Sequence, residues 1–216
     1  HTAEGRQAAR SLFQVEVVMR SISESIRKPP GIRENIEANR SASRVNLLGR
    51  YTIEMEKSME ISVGLKAPEF ELKDQNEVSH KLSDYKGKRI VLYFYPKDFT
   101  PGCTAEACSF RDNFSVFKEN GITILGISPN DSKSHNKFEQ KYHLPFTLLA
   151  DVDHHVSELY GVWGPKRLAG REFMGVRRTT FVLDESGKVL KVFEKVKPEH
   201  HSTEILALFG LQPVVE

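Results

Sequence analysis

The chain has 216 residues, 39% of them apolar and 28% charged, and its 31 basic against 29 acidic side chains give a formal net charge of +2. This excludes collagen-like and wholly disordered proteins, no apolar run approaches the ~18–20 residues of a membrane span, and so balanced a charge argues against a nucleic-acid partner. Two cysteines are too few for a disulfide framework or a four-cysteine zinc site, so they are either incidental or the point of the molecule.

Residues 1–60 carry eight arginines, two lysines, eight glutamates, no aspartate and only Phe13 and Tyr51 as aromatics. Lys28-Pro29-Pro30-Gly31 breaks any helix there, a short amphipathic helix at about 12–19 is possible, and large apolar residues are too few for a core. The segment reads as a non-catalytic, poorly ordered N-terminal extension. Arginine and serine enrichment suggests organelle targeting, but eight glutamates conflict with the acid-poor transit peptide, and no secretory pattern is visible. The chain begins at His1, and Met59 stands just before the first coherent strand pattern as an alternative start. The expected location is the cytoplasm, with organelle targeting less well supported.

From residue 61 the pattern becomes regular, and residues 61–216 are expected to form one domain. Phe70-Glu71-Leu72 and Val78 bracket the turn-prone Asp74-Gln75-Asn76, a small hairpin. Ile90-Val91-Leu92-Tyr93-Phe94-Tyr95 is an unbroken apolar run with the length of a strand buried on both faces. Ile122-Thr123-Ile124-Leu125-Gly126-Ile127, residues 146–150 and residues 179–183 repeat that signal. Helices are predicted at about 103–119, 133–142, 154–160 and 202–209. Residues 189–196 follow the turn Asp184-Glu185-Ser186-Gly187 as a hairpin partner. Alternating strands and helices imply α/β class with a mainly parallel central sheet, to which the late hairpin adds antiparallel edge strands. The expected fold is thioredoxin-like, with a mixed sheet flanked by helices.

The informative stretch, Tyr95-Pro96-Lys97-Asp98-Phe99-Thr100-Pro101-Gly102-Cys103-Thr104-Ala105-Glu106-Ala107-Cys108, follows the first buried strand, where open α/β sheets place their ligand crevices. Thr100 suits an N-cap and Pro101 the first helical position, where its missing N–H costs nothing. Ala107, Phe110, Phe114 and Phe117 recur at helical spacing as a core-facing stripe, and Asn120-Gly121 ends the helix. Cys103 therefore lies in a first turn, where free N–H groups and the helix dipole favour the nucleophilic thiolate. A lone cysteine is more often structural, but a capped helix start after a buried strand favours chemistry. Cys108, five residues on, is ~7.5 Å further along an intact helix and rotated by ~140°. It is either structural or a partner only after the first turns unwind, since bridged Cα atoms lie within ~7 Å. The spacing also disfavours a thioredoxin-type dithiol, which has two intervening residues.

Pro96-x-x-x-Thr100-x-x-Cys103 resembles the active-site signature of peroxiredoxins. The fuller run from Phe94 to Cys108, with Asp112, Tyr160-Gly161-Val162-Trp163, Arg178-Thr179-Thr180-Phe181-Val182-Leu183-Asp184 and Lys195-Val196-Lys197-Pro198, resembles the bacterioferritin-comigratory-protein (peroxiredoxin Q) subfamily. The resemblance spans residues 61–210, with a small departure at Phe99, where the family often has a polar residue. It implies a thiol peroxidase needing no metal or cofactor, with Cys103 peroxidatic and passing through a sulfenic acid. Cys108 matches the resolving position, so the resemblance implies an intramolecular Cys103–Cys108 disulfide reduced by thioredoxin or a similar dithiol. It further implies that Thr100 and the Cys103 N–H bond sulfur and peroxide, and that Arg178 is the fixed cation beside the thiolate. Glu106 would orient Arg178 and Pro96 would shield the sulfenic acid, while Trp163 packs in or near the site, with core packing alone its favoured role. Hydrogen peroxide and organic hydroperoxides are the implied substrates, with no nucleic acid or membrane partner, and a monomer or else a dimer. The open alternatives are a one-cysteine peroxidase using an external thiol, a peroxide-sensing redox switch and a protein thiol–disulfide oxidoreductase.

His154-His155, after Asp151 and Asp153, could suggest a metal, but neighbouring helical positions point ~100° apart. They read as the start of a solvated helix capped by Asp153, and His200-His201 reads the same way before the final helix. No Gly-rich loop ending in Lys-Ser/Thr signals a nucleotide.

Overall fold

The computed structural model describes residues 61–168 and 170–214, so the N-terminal extension, its predicted helix and Met59 lie outside the described residues. The described chain is built on a seven-stranded sheet with strand order β2-β1-β5-β4-β3-β8-β9 and a separate two-stranded sheet, β6-β7. The strands are β1 (Glu71–Asp74), β2 (Ser79–Lys81), β3 (Arg89–Phe94), β4 (Ile122–Ser128), β5 (Thr147–Ala150), β6 (Trp163–Leu168), β7 (Arg171–Val176), β8 (Thr179–Leu183) and β9 (Val189–Phe193). Five α-helices intervene: α1 (Pro101–Asp112), α2 (Phe114–Glu119), α3 (Ser132–Tyr142), α4 (His155–Leu159) and α5 (His201–Leu208). Every strand expected from the apolar runs is present. The helix expected at 103–119 is two helices that meet at Asn113, whose backbone leaves the helical region at φ −102°, ψ 7°.

The sheet is mixed, but less parallel than its alternation of elements implies. Only β3 with β4 and β4 with β5 pair in parallel. β8 returns antiparallel to β3 in the interior of the sheet, and β1 closes antiparallel on β5. An apolar run shows that a strand is buried on both faces, not which way it points.

Two cores lie on the two faces of the sheet, and the pleat of β3 divides them. Ile90, Leu92 and Phe94 join Phe70, Val156, Tyr160 and Phe181 on one face. Val91, Tyr93 and Tyr95 join Cys103, Phe110, Phe117, Phe138 and Ile205 on the other. Burying each large side chain contributes roughly 1.5–3 kcal/mol. The second core matters for function, because its helical wall carries Cys103.

Three local devices depart from the sequence reading. α4 has a second cap besides Asp153, which accepts from the His155 amide at 3.2 Å: the fully buried Asp151 carboxylate accepts from the Val156 and Ser157 amides at 3.0 and 2.7 Å. His201 is not solvated but fully buried, paired through Nε2 with Thr180 Oγ1 at 2.8 Å, and burial pulls its pKa down to about 4. The β6–β7 hairpin has no counterpart in the sequence reading. Its registers pair Gly164 with Gly175 and Lys166 with Phe173.

Candidate active site

β3 runs to the carboxyl edge of the sheet, the chain turns through residues 95–100, and α1 begins at Pro101. Thr100 stands at the N-cap with extended backbone (φ −78°, ψ 146°), but its side chain makes no capping bond. Its hydroxyl donates instead to the Lys97 carbonyl at 2.9 Å, so toward anything entering the site it is left to accept. The Thr104 amide is bonded to the Thr100 carbonyl at 2.9 Å, and the earlier amides of α1, those of Gly102 and Cys103, have no turn above them to bond.

Cys103 is 1% exposed, packed in the second core, and carries a free thiol. Arg178, which follows β7 and directly precedes β8, donates from Nη2 to Cys103 Sγ at 3.2 Å and from Nη1 to Glu106 Oε2. Burial works against the charge of Arg178, but Glu106 and Cys103 more than offset it and its pKa is raised. Arg178 passes beside Gly102, where a Cβ would stand in ordinary contact, 3.4 Å from Arg178 Nη2 and 3.8 Å from Pro198. The structure thus brings Cys103, Glu106 and Arg178, distant in sequence, into one contact set.

Glu106 is fully buried, and its Oε1 has no hydrogen-bond partner. Burial outweighs the two opposing contributions of Arg178 and lifts its pKa to about 7. Beneath it lies Tyr93, whose buried hydroxyl is also unpartnered and whose ionisation is strongly suppressed, first by burial and then by Glu106.

Cys108 also carries a free thiol, on the same unbroken helix. It is half-buried, and that burial raises its pKa. Five positions along α1 place the two sulfurs on different sides of the helix. Pro96 is half-buried directly after Tyr95. Trp163 has the core-packing role: it stacks on His154 at 3.8 Å between ring centroids and packs against the core on the opposite face from Cys103. Phe99 turns outward onto α3, edge-on to Phe138 at 5.1 Å.

Lys166 was not singled out from the sequence. Its ammonium donates to the Val176 carbonyl at 3.0 Å, two residues before Arg178. Burial lowers its pKa and the Arg178 charge adds to that, while Cys103 opposes both. A lysine in an exposed hairpin carries no sequence signal for such a place. Two surface cavities of about 180 and 290 Å³ lie over Leu82 and Tyr85 and over Tyr160 and Phe181, and neither is lined by Cys103. Among the described residues no group of three or more His, Cys, Asp or Glu side chains could hold a metal ion, and no helix is long and apolar enough to cross a membrane.

The fold has counterparts among known proteins. Residues 63–192 match the model of the AhpC/TSA family. Peroxiredoxin Bcp of Bacillus subtilis is 50% identical over 148 residues, covering 68% of this chain and 94% of the relative. The solved bacterioferritin comigratory protein of Xanthomonas campestris, described for its alkyl peroxide reduction activity, aligns with a TM-score of 0.64 at 32% identity. That alignment covers 69% of this chain and 98% of the other. Peroxidoxin BcpB of Mycobacterium tuberculosis aligns with a TM-score of 0.61 at 36% identity, covering 68% and 96%.

Proposed function

We propose, given that this chain belongs to the AhpC/TSA family and is a peroxiredoxin, that Cys103 is its peroxidatic cysteine and Cys108 its resolving one. The contact between Arg178 and Cys103 Sγ, at a helix start and on a nearly sealed sulfur, carries the reading. A thiolate there is stabilised by the free amides of the first turn and by a guanidinium that is charged at every working pH.

The thiolate attacks one oxygen of the peroxide along the O–O axis. An S–O bond forms, the O–O bond breaks heterolytically, and the leaving oxygen departs as water or alcohol once protonated. Negative charge moves from sulfur to the leaving oxygen, so donors that hold the thiolate also stabilise the transition state. Arg178 and the Cys103 amide supply donors, and Thr100, its proton committed to Lys97, accepts from the peroxide O–H. Pro96 limits water at the sulfenic acid.

Resolution follows a change of shape. Cys108 cannot reach Cys103 while α1 is wound, and burial keeps its thiol protonated there. Unwinding the first turns exposes Cys108, lowers its pKa toward the ordinary value and brings its sulfur to the sulfenic acid. The S–S bond forms, the S–O bond breaks and water leaves. A dithiol such as thioredoxin then returns both thiols. Substrates are hydrogen peroxide and organic hydroperoxides, and two free thiols suit a reducing compartment such as the cytoplasm.

The test is peroxide consumption coupled to thioredoxin and its reductase, with mass spectrometry of the cysteines. Cys103→Ser is expected to abolish turnover. Cys108→Ser is expected to keep the first oxidation but accumulate sulfenic acid or a mixed disulfide with external thiol. A Cys103→Ser chain that still turns over at the normal rate would overturn the reading.

A further inference from the structure

The loop that presents Cys103 is tied to α3, a helix that makes no hydrogen bond to the sulfur among the described residues and shares its core through Phe138. Asp98, in the middle of that loop, is 3% exposed. Its carboxylate accepts from Tyr95 Oη at 2.8 Å, Ser134 Oγ at 2.7 Å and His135 Nδ1 at 3.0 Å, and its amide donates to Asn130 Oδ1 at 3.0 Å. His135 is fully buried on α3, and its Nε2 faces the Leu149 carbonyl of β5 at 3.2 Å. The ring therefore bridges the loop to the sheet, with Nδ1 on the Asp98 carboxylate and Nε2 toward β5.

The next residue continues the tether. Phe99 has φ +61°, a left-handed conformation that non-glycine residues keep only where their surroundings hold it. What holds it is α3 again: Phe138 at 5.1 Å, Tyr142 at 6.3 Å and the Lys141 ammonium 5.6 Å from the ring. Asp98 lies five positions before Cys103, and the sulfur's hydrogen bond comes from Arg178, not from these groups. They set where α1 starts.

We propose that the buried Asp98–His135 pair is a latch that holds the start of α1 wound, and that its strength divides the catalytic cycle between peroxide attack and disulfide closure. Attack needs the wound helix, in which Arg178 and the first-turn amides converge on Cys103. Closure needs the unwound one. A tighter latch favours the first step, and hence over-oxidation of a sulfenic acid left waiting, while a looser latch favours the second. Asp98 and His135 are positioning residues under this proposal, which rests on the roles given above to Cys103 and Cys108.

Asp98→Asn keeps the shape and the Tyr95 bond but removes the charge, while His135→Asn keeps one donor near the Nδ1 position. Single-turnover rates of Cys103 oxidation and of disulfide closure are measured well below each variant's unfolding midpoint, with the peroxide concentration that leaves half of Cys103 as sulfinic acid. Asp98→Asn is expected to slow oxidation about tenfold, the scale of one lost charged hydrogen bond, to speed closure several-fold, and to raise the sulfinic threshold. His135→Asn is expected to fall between it and the unaltered chain. Oxidation and closure slowing together, or neither moving, overturns the latch. Ser134→Ala, which strips a single bond from the same carboxylate, replaces Asp98→Asn should that variant not fold. Hydrogen exchange at the first-turn amides of α1, read in a Cys108→Ser background, tests the latch without any resolving step. Faster exchange on Asp98→Asn supports it, and unchanged exchange overturns it even where Cys108 proves to resolve. Faster exchange with no Cys103–Cys108 bridge in the unaltered protein would instead retain the latch and remove the resolving role.

Discussion

Glu106 holds a carboxyl in a place where neither of its forms is at ease. One oxygen meets Arg178, the other meets no donor, and burial raises the pKa to about 7 from an ordinary 4.5. A folded-state value above the unfolded one means that the native chain binds more protons across that interval. Its contribution to stability is therefore full below about 4.5 and is lost as pH rises through about 7. His201 works in the opposite direction between about 4 and its ordinary 6.5, because burial keeps its ring neutral. The difference between Glu106→Gln and the unaltered chain isolates the carboxyl: the substitution is expected to raise the relative midpoint of thermal unfolding progressively from pH 5 to pH 8. A pH-independent difference would show that Glu106 does not titrate in this range. Both Glu106 and Arg178 were legible in the sequence through their motifs. The pair Asp98 and His135 was not, because it joins a loop to a helix 37 positions away and each residue taken alone looks ordinary.

At the level of elements, the site depends on how β3 and β4 sit side by side. Tyr93 faces Gly126 across their parallel ladder, and a Cβ at 126 would stand 2.7 Å from the Tyr93 ring. That ring also stacks on Tyr95 at 5.3 Å and lies tilted against Phe110 of α1 at 4.9 Å, so a displacement is passed on to α1. Gly126→Ala is expected to cost about 1–3 kcal/mol by overpacking, measured by denaturant unfolding, and to slow the reaction of Cys103 with peroxide because the displaced ring pushes on α1. An unchanged midpoint would mean that the core absorbs the methyl group. β3 and β4 were readable because six-residue apolar runs leave few alternatives. The β6–β7 hairpin was not. Its strands hold Gly164, Pro165, Lys166 and Arg167 opposite Gly175, Met174, Phe173 and Glu172, mostly exposed, so no alternation marks a buried face.

On the scale of the whole molecule, the two cores and the active-site loop are built, among the described residues, from the segment 61–214. The Bacillus subtilis relative is matched over 94% of its own length by 148 residues of this chain. We expect residues 61–216, produced without the preceding segment, to fold and to reduce peroxide in the coupled assay at the rate of the full chain. A large loss of rate would give residues 1–60 a part in catalysis.

The sequence by itself determined the strands of the seven-stranded sheet, the helix start at Pro101 and the cysteine placed there, since apolar runs, turn residues and caps act over short stretches of chain. It also exposed Arg178, through a motif whose spacing survives without any knowledge of the fold. Only the tertiary structure decided the direction of β8, the burial of His201, the outward turn of Phe99 onto α3, and the closure of Asp98 on His135. Each of these depends on which distant segments exclude water from one another, and a polar side chain's protonation and partners are settled only once that exclusion has occurred.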